Sequence, residues 1–451
     1  MLSNSSISMK AIIWFSRAIV GLLFIFSGFI KANDPLGFSY KLEEYFEKFS
    51  AIFTEAGLGL FAYPMDWMAH IALPLAIIIV VSEMVLGVLT LTGTYMKKVS
   101  LYLLLMIVFF TFLTFVSWYF EIVKTCGCFG EVIPLTPFES FIKDLILTAL
   151  ILVLYVFRKN IASLLSGTGG NISLWSSTIV AFMFTWYCYQ HLPIMDFGNY
   201  GPEKSLTDEM KMVEGNPLTL FKLKHKELGV EVEFADYPSD YQNWDYISPA
   251  RIVDGELEVI SIKINSTGQE TRVLEVNEAF KNEWTVLETT AENFKANEDP
   301  KIQQLSAFYY KDMEKDFIDV MLSHKEHYFW FVLRDFSQFG DYIETGDGLV
   351  FQENSYGKST FEKMNTFAKS AKRANIKFHV LCSEGVYENI EAFRHGVSAE
   401  FLFYVCDDTE LKTMIRSSPG LMLLKKDRVI NKWHYNDFMT FEEINNQYIN
   451  K

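Results

Sequence analysis

The stretch that decides the fold of the first half of the chain runs from Ala11 to Ile30 and reads AIIWFSRAIVGLLFIFSGFI. About 20 mostly apolar residues are enough to cross the hydrocarbon core of a bilayer as an α-helix. The run is too long for the apolar part of a cleaved signal peptide, it contains Arg17, and no small-residue cleavage site follows it at the right place. The sequence therefore predicts a membrane-spanning helix here.

Four further apolar stretches predict four more spans. They cover residues 70–92, 99–120, 138–157 and 174–189. Basic residues in short loops mark the cytoplasmic side of a membrane protein. The residues that set the orientation are Lys10, Lys97, Lys98, Arg158 and Lys159. They predict a cytoplasmic N-terminus, whereas the loops 31–69 and 121–137 and everything after Tyr189 face outward.

Composition agrees with a membrane part followed by a water-soluble part. Half of the 451 residues are hydrophobic, which excludes a disordered chain. The first 190 residues hold 11 basic and 11 acidic side chains, whereas the remainder holds 29 basic and 44 acidic ones. An acidic region without a basic stripe argues against a nucleic-acid partner. The lipid bilayer is the partner that the composition predicts.

Four charged residues fall within the spans or at their ends, namely Arg17, Lys31, Glu83 and Asp144. Charges in a membrane are costly and usually paired. Depth along the helices predicts one pair between Arg17 and Glu83 and another between Lys31 and Asp144. Such pairs can fix the packing of the helices, and a proton-handling or quinone-handling role for Glu83 is the alternative.

Two cysteines, Cys126 and Cys128, flank Gly127 in the loop between the third and fourth spans. Glycine permits the tight backbone that a disulfide ring of this size demands. So short a loop gains little from closure, so the bond would be easily reduced, which suits exchange chemistry. Cys188, near the end of the fifth span, is a candidate resolving thiol. The alternative is a turn in which the cysteines act as small apolar residues, and no metal-ligand spacing accompanies them.

These motifs resemble the DoxX/MauE group of small bacterial membrane proteins. The resemblance covers residues 1–160 and rests on Arg17, the run from Ser27 to Lys31 with Asp34-Pro35, the Glu83…Gly87 pair and the CGCFG element from Cys126 to Gly130. It implies a four-helix bundle in the bacterial inner membrane, to which this chain adds a fifth span. It also implies thiol–disulfide handling of exported proteins, or a quinone-linked oxidoreductase, with Cys126 and Cys128 in the redox role and a quinone as the cofactor to consider.

The fifth span and its exit occupy residues 161–196, and a β-rich linker subdomain is predicted over 197–300. Apolar and polar residues alternate there in runs that begin near Leu218, Val230, Glu256 and Thr271, as in half-buried strands. The region resembles the segment that follows such bundles in some Bacteroidetes-type membrane proteins.

Residues 301–451 predict an α/β domain. His327–Leu333 is a continuous apolar run, typical of a strand buried on both faces. Alternating helices and strands follow and end in a hairpin, which indicates a sheet with helices on both faces. The order resembles a thioredoxin-like domain of the TlpA/peroxiredoxin-related type. Pro419 matches the proline that is cis in that fold, and the resemblance implies a peptide-binding groove beside it.

The usual Cys-x-x-Cys of that family is missing. Residues 334–342 stand where it would follow the first core strand, and they contain no cysteine. Cys382 and Cys406 end two later strands, where ligands bind in open α/β sheets. Packing as small hydrophobic residues is the favoured interpretation, and a disulfide between them would need Cα atoms within about 7 Å.

Two functional hypotheses follow. In the first, Cys126 and Cys128 exchange disulfides with exported or periplasmic proteins or pass electrons toward a quinone. In the second, the bundle is an anchor, and the thioredoxin-like domain is a non-catalytic module that holds a periplasmic partner, within a larger membrane complex or outside one. Whether the protein is an enzyme depends on which of them holds.

Overall fold

The computed structural model describes residues 2–120, 130, 132–133, 135–165, 167–212, 218–235, 238, 240–248, 251–253, 255–280, 282–294, 300–303, 305–346 and 348–450. The chain forms two compact units. One comprises Met1–Leu206 and Gln304–Lys451, and the other comprises Thr207–Gln303.

The first part of the larger unit is a helical bundle. Its helices are α1 (Leu2–Asn33), α2 (Pro35–Glu55), α3 (Gly59–His70), α4 (Ala72–Thr92), α5 (Met96–Tyr119), α6 (Pro137–Val156) and α7 (Thr168–Gln190). Local sequence sets several of the ends. Asp34 caps α2 and Pro35 opens it, while Thr136 and Glu139 form a capping box at the start of α6. Helix α4 ends where Gly93 adopts a left-handed conformation with φ 70°.

Within the described part of the chain, three helical segments are long and apolar enough to cross a membrane, namely Met9–Asn33, Ala72–Thr92 and Met96–Tyr119. The other two predicted spans coincide with α6 and α7, helices of 20 and 23 residues. Helix α6 packs on α5, and α7 packs on α4. Helices α1 and α4 approach closely through glycines, because a Cβ atom on Gly87 would lie 2.8 Å from the carbonyl oxygen of Gly21.

The predicted loop 31–69 contains two helices that the search for spans missed. In α2 the buried residues include Leu42, Tyr45, Phe46 and Phe49, an apolar stripe at positions i, i+3, i+4 and i+7. This stripe is the ordinary signal of an amphipathic helix. The opposite face of α2 is too polar for the helix to resemble a membrane span. Helix α3 packs against α2.

The smaller unit is β-rich, as predicted. After the short α8 (Leu206–Glu209), its strands are β1 (Leu218–His225), β2 (Glu231–Phe234), β3 (Trp244–Tyr246), β4 (Arg251–Val253), β5 (Gly255–Ile264), β6 (Glu270–Val273) and β7 (Trp284–Phe294). They form an antiparallel sheet in the order β3-β1-β2-β6-β5-β7, with β4 beside β1. Phe234, Trp244, Phe280 and Trp284 are central to its core.

The second part of the larger unit is the predicted α/β domain. Its strands are β8 (Phe308–Tyr309), β9 (Asp312–Asp316), β10 (His327–Leu333), β11 (Gly340–Thr345), β12 (Gly348–Glu353), β13 (Lys377–Cys382), β14 (Leu402–Val405), β15 (Gly420–Lys425) and β16 (Arg428–His434). Its helices are α9 (Ile318–Leu322), α10 (Ser355–Arg373), α11 (Tyr387–Gly396), α12 (Asp408–Met414) and α13 (Phe441–Ile444).

The main sheet has the order β16-β15-β10-β13-β14-β8-β9. Strand β10 lies parallel to β13 and antiparallel to β15, so that Phe329 is opposite Phe378 on one side and Leu423 on the other. On one face, these strands pack with α10, α11 and α13 in a single apolar core. The peptide bond between Ser418 and Pro419 is cis, as the thioredoxin-like resemblance implied. The β11–β12 hairpin and the strands β8 and β9 were not predicted.

Candidate functional site

Lys31 and Glu83 form a buried ion pair inside the helical bundle. The Lys31 Nζ atom lies 2.7 Å from Glu83 Oε1 and also donates to Ser27 Oγ at 2.8 Å. Only 4% and 3% of these two charged side chains are exposed. The ammonium group therefore directs its donors at a carboxylate and a hydroxyl, which is what burial of a charge requires.

The predicted pair between Arg17 and Glu83 is wrong. The Arg17 guanidinium instead donates to the carbonyl oxygens of Thr90 and Leu91, at 3.2 Å and 2.7 Å. These carbonyls belong to the last turn of α4, where the supply of helical N–H groups ends, although the Thr90 carbonyl also accepts from the Gly93 N–H at 3.1 Å. Thr90 lies seven residues after Glu83, or about 10 Å along the helix axis at 1.5 Å per residue. Arg17 thus caps α4, and the relative position of the two helices places Lys31, not Arg17, beside Glu83.

The predicted pair between Lys31 and Asp144 is wrong for the same reason. Asp144 pairs with Lys143 at 2.9 Å and accepts a hydrogen bond from Thr114 Oγ1 at 3.1 Å. Both ion pairs line one small cavity of about 30 Å³ in the bundle. A cavity of this volume has room for only a few water molecules. It is too small for the head group of a quinone.

The start of α2 is bonded to the thioredoxin-like end of the chain. The Nε atom of Arg416 lies 3.1 Å and 3.0 Å from the two carboxylate oxygens of Asp34, which also accepts a hydrogen bond from the Gly37 N–H. A Cβ atom on Gly37 would lie 2.2 Å from Asp34 Oδ2 and 3.0 Å from the Arg416 guanidinium. Glycine at position 37 therefore allows the arginine to reach the carboxylate that caps the helix.

A second arginine contacts α2 at the edge of the sheet where a thioredoxin would carry its cysteines. Arg334 follows β10 directly and donates to the Tyr40 hydroxyl at 2.7 Å. Its backbone N–H donates to Ser418 Oγ at 3.0 Å, in the loop of the cis proline. The edge that contains Arg334 and Pro419 thus contacts the bundle.

The segment between α7 and α8 adds further links. Asn33 donates to the Met195 carbonyl at 2.7 Å and accepts from the Met195 N–H at 3.1 Å. Asp196 forms an ion pair with Lys432 on β16. His191, just after α7, lies 2.7 Å from the Asp437 carboxylate.

These contacts surround a cavity of about 510 Å³, which we call the interdomain cavity. Its walls come from the end of α1 and start of α2, from residues 192–198, and from α12 with Arg416 and Lys432. Gly130 and Val132 also line it. Gly130 has a left-handed backbone with φ 56° and packs close to Ile30. The cavity therefore reaches the chain two residues after Cys128.

The structure locates three of the five cysteines. Cys126 and Cys128 lie outside the described residues, so their pairing and their distance from Cys188 stay predictions. Cys188 is buried at the end of α7, and its thiol is free. Cys382 and Cys406 are also free and buried. Burial raises the pKa of both of these thiols well above its ordinary value, which keeps them in the unreactive protonated form.

Comparison with known proteins agrees with the assignment of the helical bundle. A family model described as "Methylamine utilisation protein MauE" matches residues 9–157. Residues 9–157 are MauE-like. A segment of 98 residues is 35% identical to Protein TlpB of Flavobacterium psychrophilum, which covers 21% of this chain and 26% of that relative. The match thus spans about a quarter of the curated relative, and no solved structure matches the chain. The sheet order β16-β15-β10-β13-β14, with α10, α11 and α13 packed on one face, agrees with the thioredoxin-like resemblance, so the chain joins a MauE-like bundle to a thioredoxin-like domain.

The sequence analysis missed the residues that join these two parts. Asp34-Pro35 was noted only as part of a family motif, although an aspartate before a proline is also the typical start of a helix. Arg334 and Arg416 flank the two loops that form the binding edge of a thioredoxin fold. This position could have indicated that the two arginines form contacts at that edge. Nothing in the sequence indicated that their partners lie on α2.

Proposed function

We propose that the protein is a thiol–disulfide exchange protein of the bacterial inner membrane, with Cys126 and Cys128 as the reacting pair. The MauE-like bundle supports the membrane location. Positive residues in the loops support a cytoplasmic N-terminus and a periplasmic thioredoxin-like domain. We keep the domain division at residues 1–160, 161–196, 197–300 and 301–451 as part of the same proposal.

The observation that carries the proposal is the position of Gly130 in the wall of the interdomain cavity. Consecutive Cα atoms are 3.8 Å apart, so two residues of chain span about 7 Å at most. The described chain therefore enters the wall of this cavity two residues after Cys128, and the cavity is large enough for several side chains of a substrate. The opposite wall belongs to the edge of a thioredoxin fold, which in an ordinary member of that fold receives a substrate.

The proposed reaction conserves atoms and electrons. A thiolate of an exported dithiol protein attacks one sulfur of a Cys126–Cys128 disulfide, and a mixed disulfide forms as the other sulfur leaves as a thiolate. The second thiol of the substrate then releases the pair, so that the substrate is oxidised and Cys126 and Cys128 are reduced. Cys188 is a candidate for resolving the mixed disulfide. The quinone that the family resemblance implies does not fit the 30 Å³ cavity among the buried charges, and we derive no step through it.

The test uses the full-length protein in lipid nanodiscs with a fluorogenic dithiol peptide. We expect the wild type to oxidise the peptide and to be trapped as a mixed disulfide, and we expect the Cys126→Ser and Cys128→Ser variants to lose both signals. The matched control is Cys382→Ala with Cys406→Ala, which removes the two buried thiols of the thioredoxin-like domain. Oxidation at the wild-type rate by the Cys126→Ser/Cys128→Ser variant would overturn the proposal.

The orientation has a separate test in intact cells. A thiol reagent that cannot cross the inner membrane should modify a cysteine placed at Glu442 in the tail, and it should spare one placed at Lys97 between α4 and α5. Labelling with the reverse pattern would place the tail in the cytoplasm. In that case the exchange with exported proteins could not take place.

The second candidate function is that of a non-catalytic binding module, and the contacts of Arg334 and Arg416 favour one form of it. In this second function, α2 occupies the cysteine-free edge of the thioredoxin-like domain, and the domain restricts access to the bundle. The domain holds a periplasmic partner only when the contact between this edge and α2 opens. Arg416→Ala should then accelerate the modification of Cys126 and Cys128 by a bulky maleimide. Lys426→Ala is the control. Equal rates in both variants and in the wild type would contradict this role.

A further inference from the structure

A second cavity of about 510 Å³ lies in the thioredoxin-like domain, away from the contact with α2. It opens between α9 and the first residues of β13 and β14, and Met321, Phe378 and Tyr404 provide part of its apolar wall. Strand β13 runs parallel to β10, so both begin at the same edge of the sheet. The seven residues of β10 span about 20 Å from this edge to Arg334. The cavity, which we call the amino-edge cavity, is therefore separate from the interdomain cavity.

His379 lines the amino-edge cavity and is 6% exposed. Neither of its ring nitrogens has a hydrogen-bond partner among the described residues. Its neighbours are aromatic rings, with the centroids of Tyr404 at 5.4 Å and His324 at 5.9 Å. Buried polar atoms in folded proteins nearly always have partners. A neutral imidazole offers one donor and one acceptor, so His379 has an unused capacity for both.

The charges around the cavity favour an anion. Lys369, Lys372 and Lys377 line it, and Glu400 is the one acidic residue among its lining residues. The Lys377 Nζ atom lies 3.1 Å from Nε2 of His324, the ring that stacks on His379. A ligand that displaces His324 would meet Lys377 and the unpartnered imidazole together.

We propose that the amino-edge cavity binds a small organic carboxylate. The apolar body of the ligand lies against Met321 and Tyr404, and its carboxylate lies between Lys377 and His379, where it accepts hydrogen bonds from the ammonium group and the imidazole N–H. Charge-assisted hydrogen bonds of this kind are the strong ones. The carboxylate replaces the partner that His379 lacks.

The experiment uses the full-length protein in nanodiscs and 4-(trifluoromethyl)benzoate as the probe, observed by its fluorine NMR signal. Its neutral analogue, 4-(trifluoromethyl)benzyl alcohol, reports partition into lipid and apolar contact alone, and empty nanodiscs give the background. We expect saturable binding of the carboxylate and none of the alcohol over the same range. Lys377→Ala should weaken binding about tenfold, as expected for the loss of a hydrogen bond to a charged group. His379→Phe, which keeps an aromatic ring in the core, should also weaken it.

Lys363→Ala is the matched control, because Lys363 is an exposed residue of α10 that does not line the cavity. Binding by Lys377→Ala at the wild-type affinity would overturn the proposal, and so would equal binding of the carboxylate and the alcohol. If His379→Phe does not fold, Lys377→Ala and Lys372→Ala decide alone, since both residues lie at the cavity rim. The Cys126→Ser/Cys128→Ser variant should bind the probe normally, so this result is independent of the exchange chemistry.

Discussion

The MauE-like bundle and the thioredoxin-like domain bury ionisable side chains in opposite ways. In the bundle, Lys31 and Glu83 are buried together and bonded to each other. In the sheet, His379 is buried without a hydrogen-bond partner among the described residues. Burial, with the nearby charges of His324 and Lys377, lowers its pKa to about 3, so that it is neutral at pH 7. A buried charge needs a partner of opposite charge beside it, whereas a histidine can be buried alone because it can lose its proton and become neutral.

The first prediction removes one member of the buried pair. Lys31→Met leaves the Glu83 carboxylate without its counter-charge, and breaking a buried pair in this way costs about 3–5 kcal/mol of unfolding free energy. The thermal unfolding of the protein in detergent, followed by circular dichroism, should show a large loss of apparent melting temperature. Lys31→Met/Glu83→Met should recover much of it, because well-packed apolar residues can replace a buried ion pair.

Lys97→Met is the control for this experiment, since Lys97 is exposed at the start of α5. It should change the unfolding free energy by no more than about 0.5 kcal/mol. A Lys31→Met variant as stable as the wild type would show that Glu83 does not need its partner. The bundle would then no longer differ from the thioredoxin-like domain in needing a partner for a buried ionisable side chain.

The second prediction concerns the unpaired histidine and acid pH. Unfolded His379 has an ordinary pKa near 6.5, whereas the folded value is about 3. Well above pH 6.5 both states are neutral, and pH has no effect through this group. As the pH falls below 6.5, the unfolded state binds a proton that the folded state refuses, so stability falls. At pH 5 the loss from this group is about 2 kcal/mol.

His379→Phe removes this group while it keeps a ring in the core. Its melting temperature should therefore decrease less than that of the wild type between pH 7.5 and pH 5. His434 also has a pKa lowered by burial, to about 4, so part of the acid sensitivity remains in the variant. Parallel pH curves for the two proteins would contradict the prediction.

The comparison also shows what a sequence can and cannot predict. The strand His327–Leu333 was predicted from its continuous apolar run, which is local sequence, and the cis peptide before Pro419 was implied by the thioredoxin-like resemblance. The ion pairs of the bundle were assigned wrongly, because the position of α1 along α4 depends on close contacts such as that between Gly21 and Gly87. Helix length and hydropathy do not contain that information.

The candidate site was predicted only in part, for a similar reason. The cysteine pair was proposed from its spacing and stays a prediction. Asp34 and Arg416 are 382 residues apart in sequence and meet only in the folded unit. The sequence analysis did not single out His379 in β13. Its ring nitrogens lack hydrogen-bond partners among the described residues because aromatic rings surround it, and the local sequence does not predict which rings these are.

The third prediction tests a partly buried pair between the two regions. Asp34 and Arg416 are 27% and 13% exposed, intermediate between the buried pair and a surface pair. Asp34→Asn keeps an N-cap acceptor for α2 but loses the charge, and it should cost about 1 kcal/mol. Hydrogen exchange at residues 35–42 should become faster. Arg416→Ala should produce the same increase, and an increase in only one of the variants would argue against the pair.

The fourth and smallest prediction concerns a surface pair on the same helix. Lys41 and Glu44 lie 3.1 Å apart on α2, with 39% and 38% of their side chains exposed. Exposed pairs are screened by water and salt, and each must hold two long side chains in one arrangement. Lys41→Ala should therefore change the unfolding free energy by less than about 0.5 kcal/mol, with no change in hydrogen exchange at residues 35–42. An effect as large as that of Asp34→Asn would mean that charge alone, and not burial with directed hydrogen bonds, stabilises the start of α2.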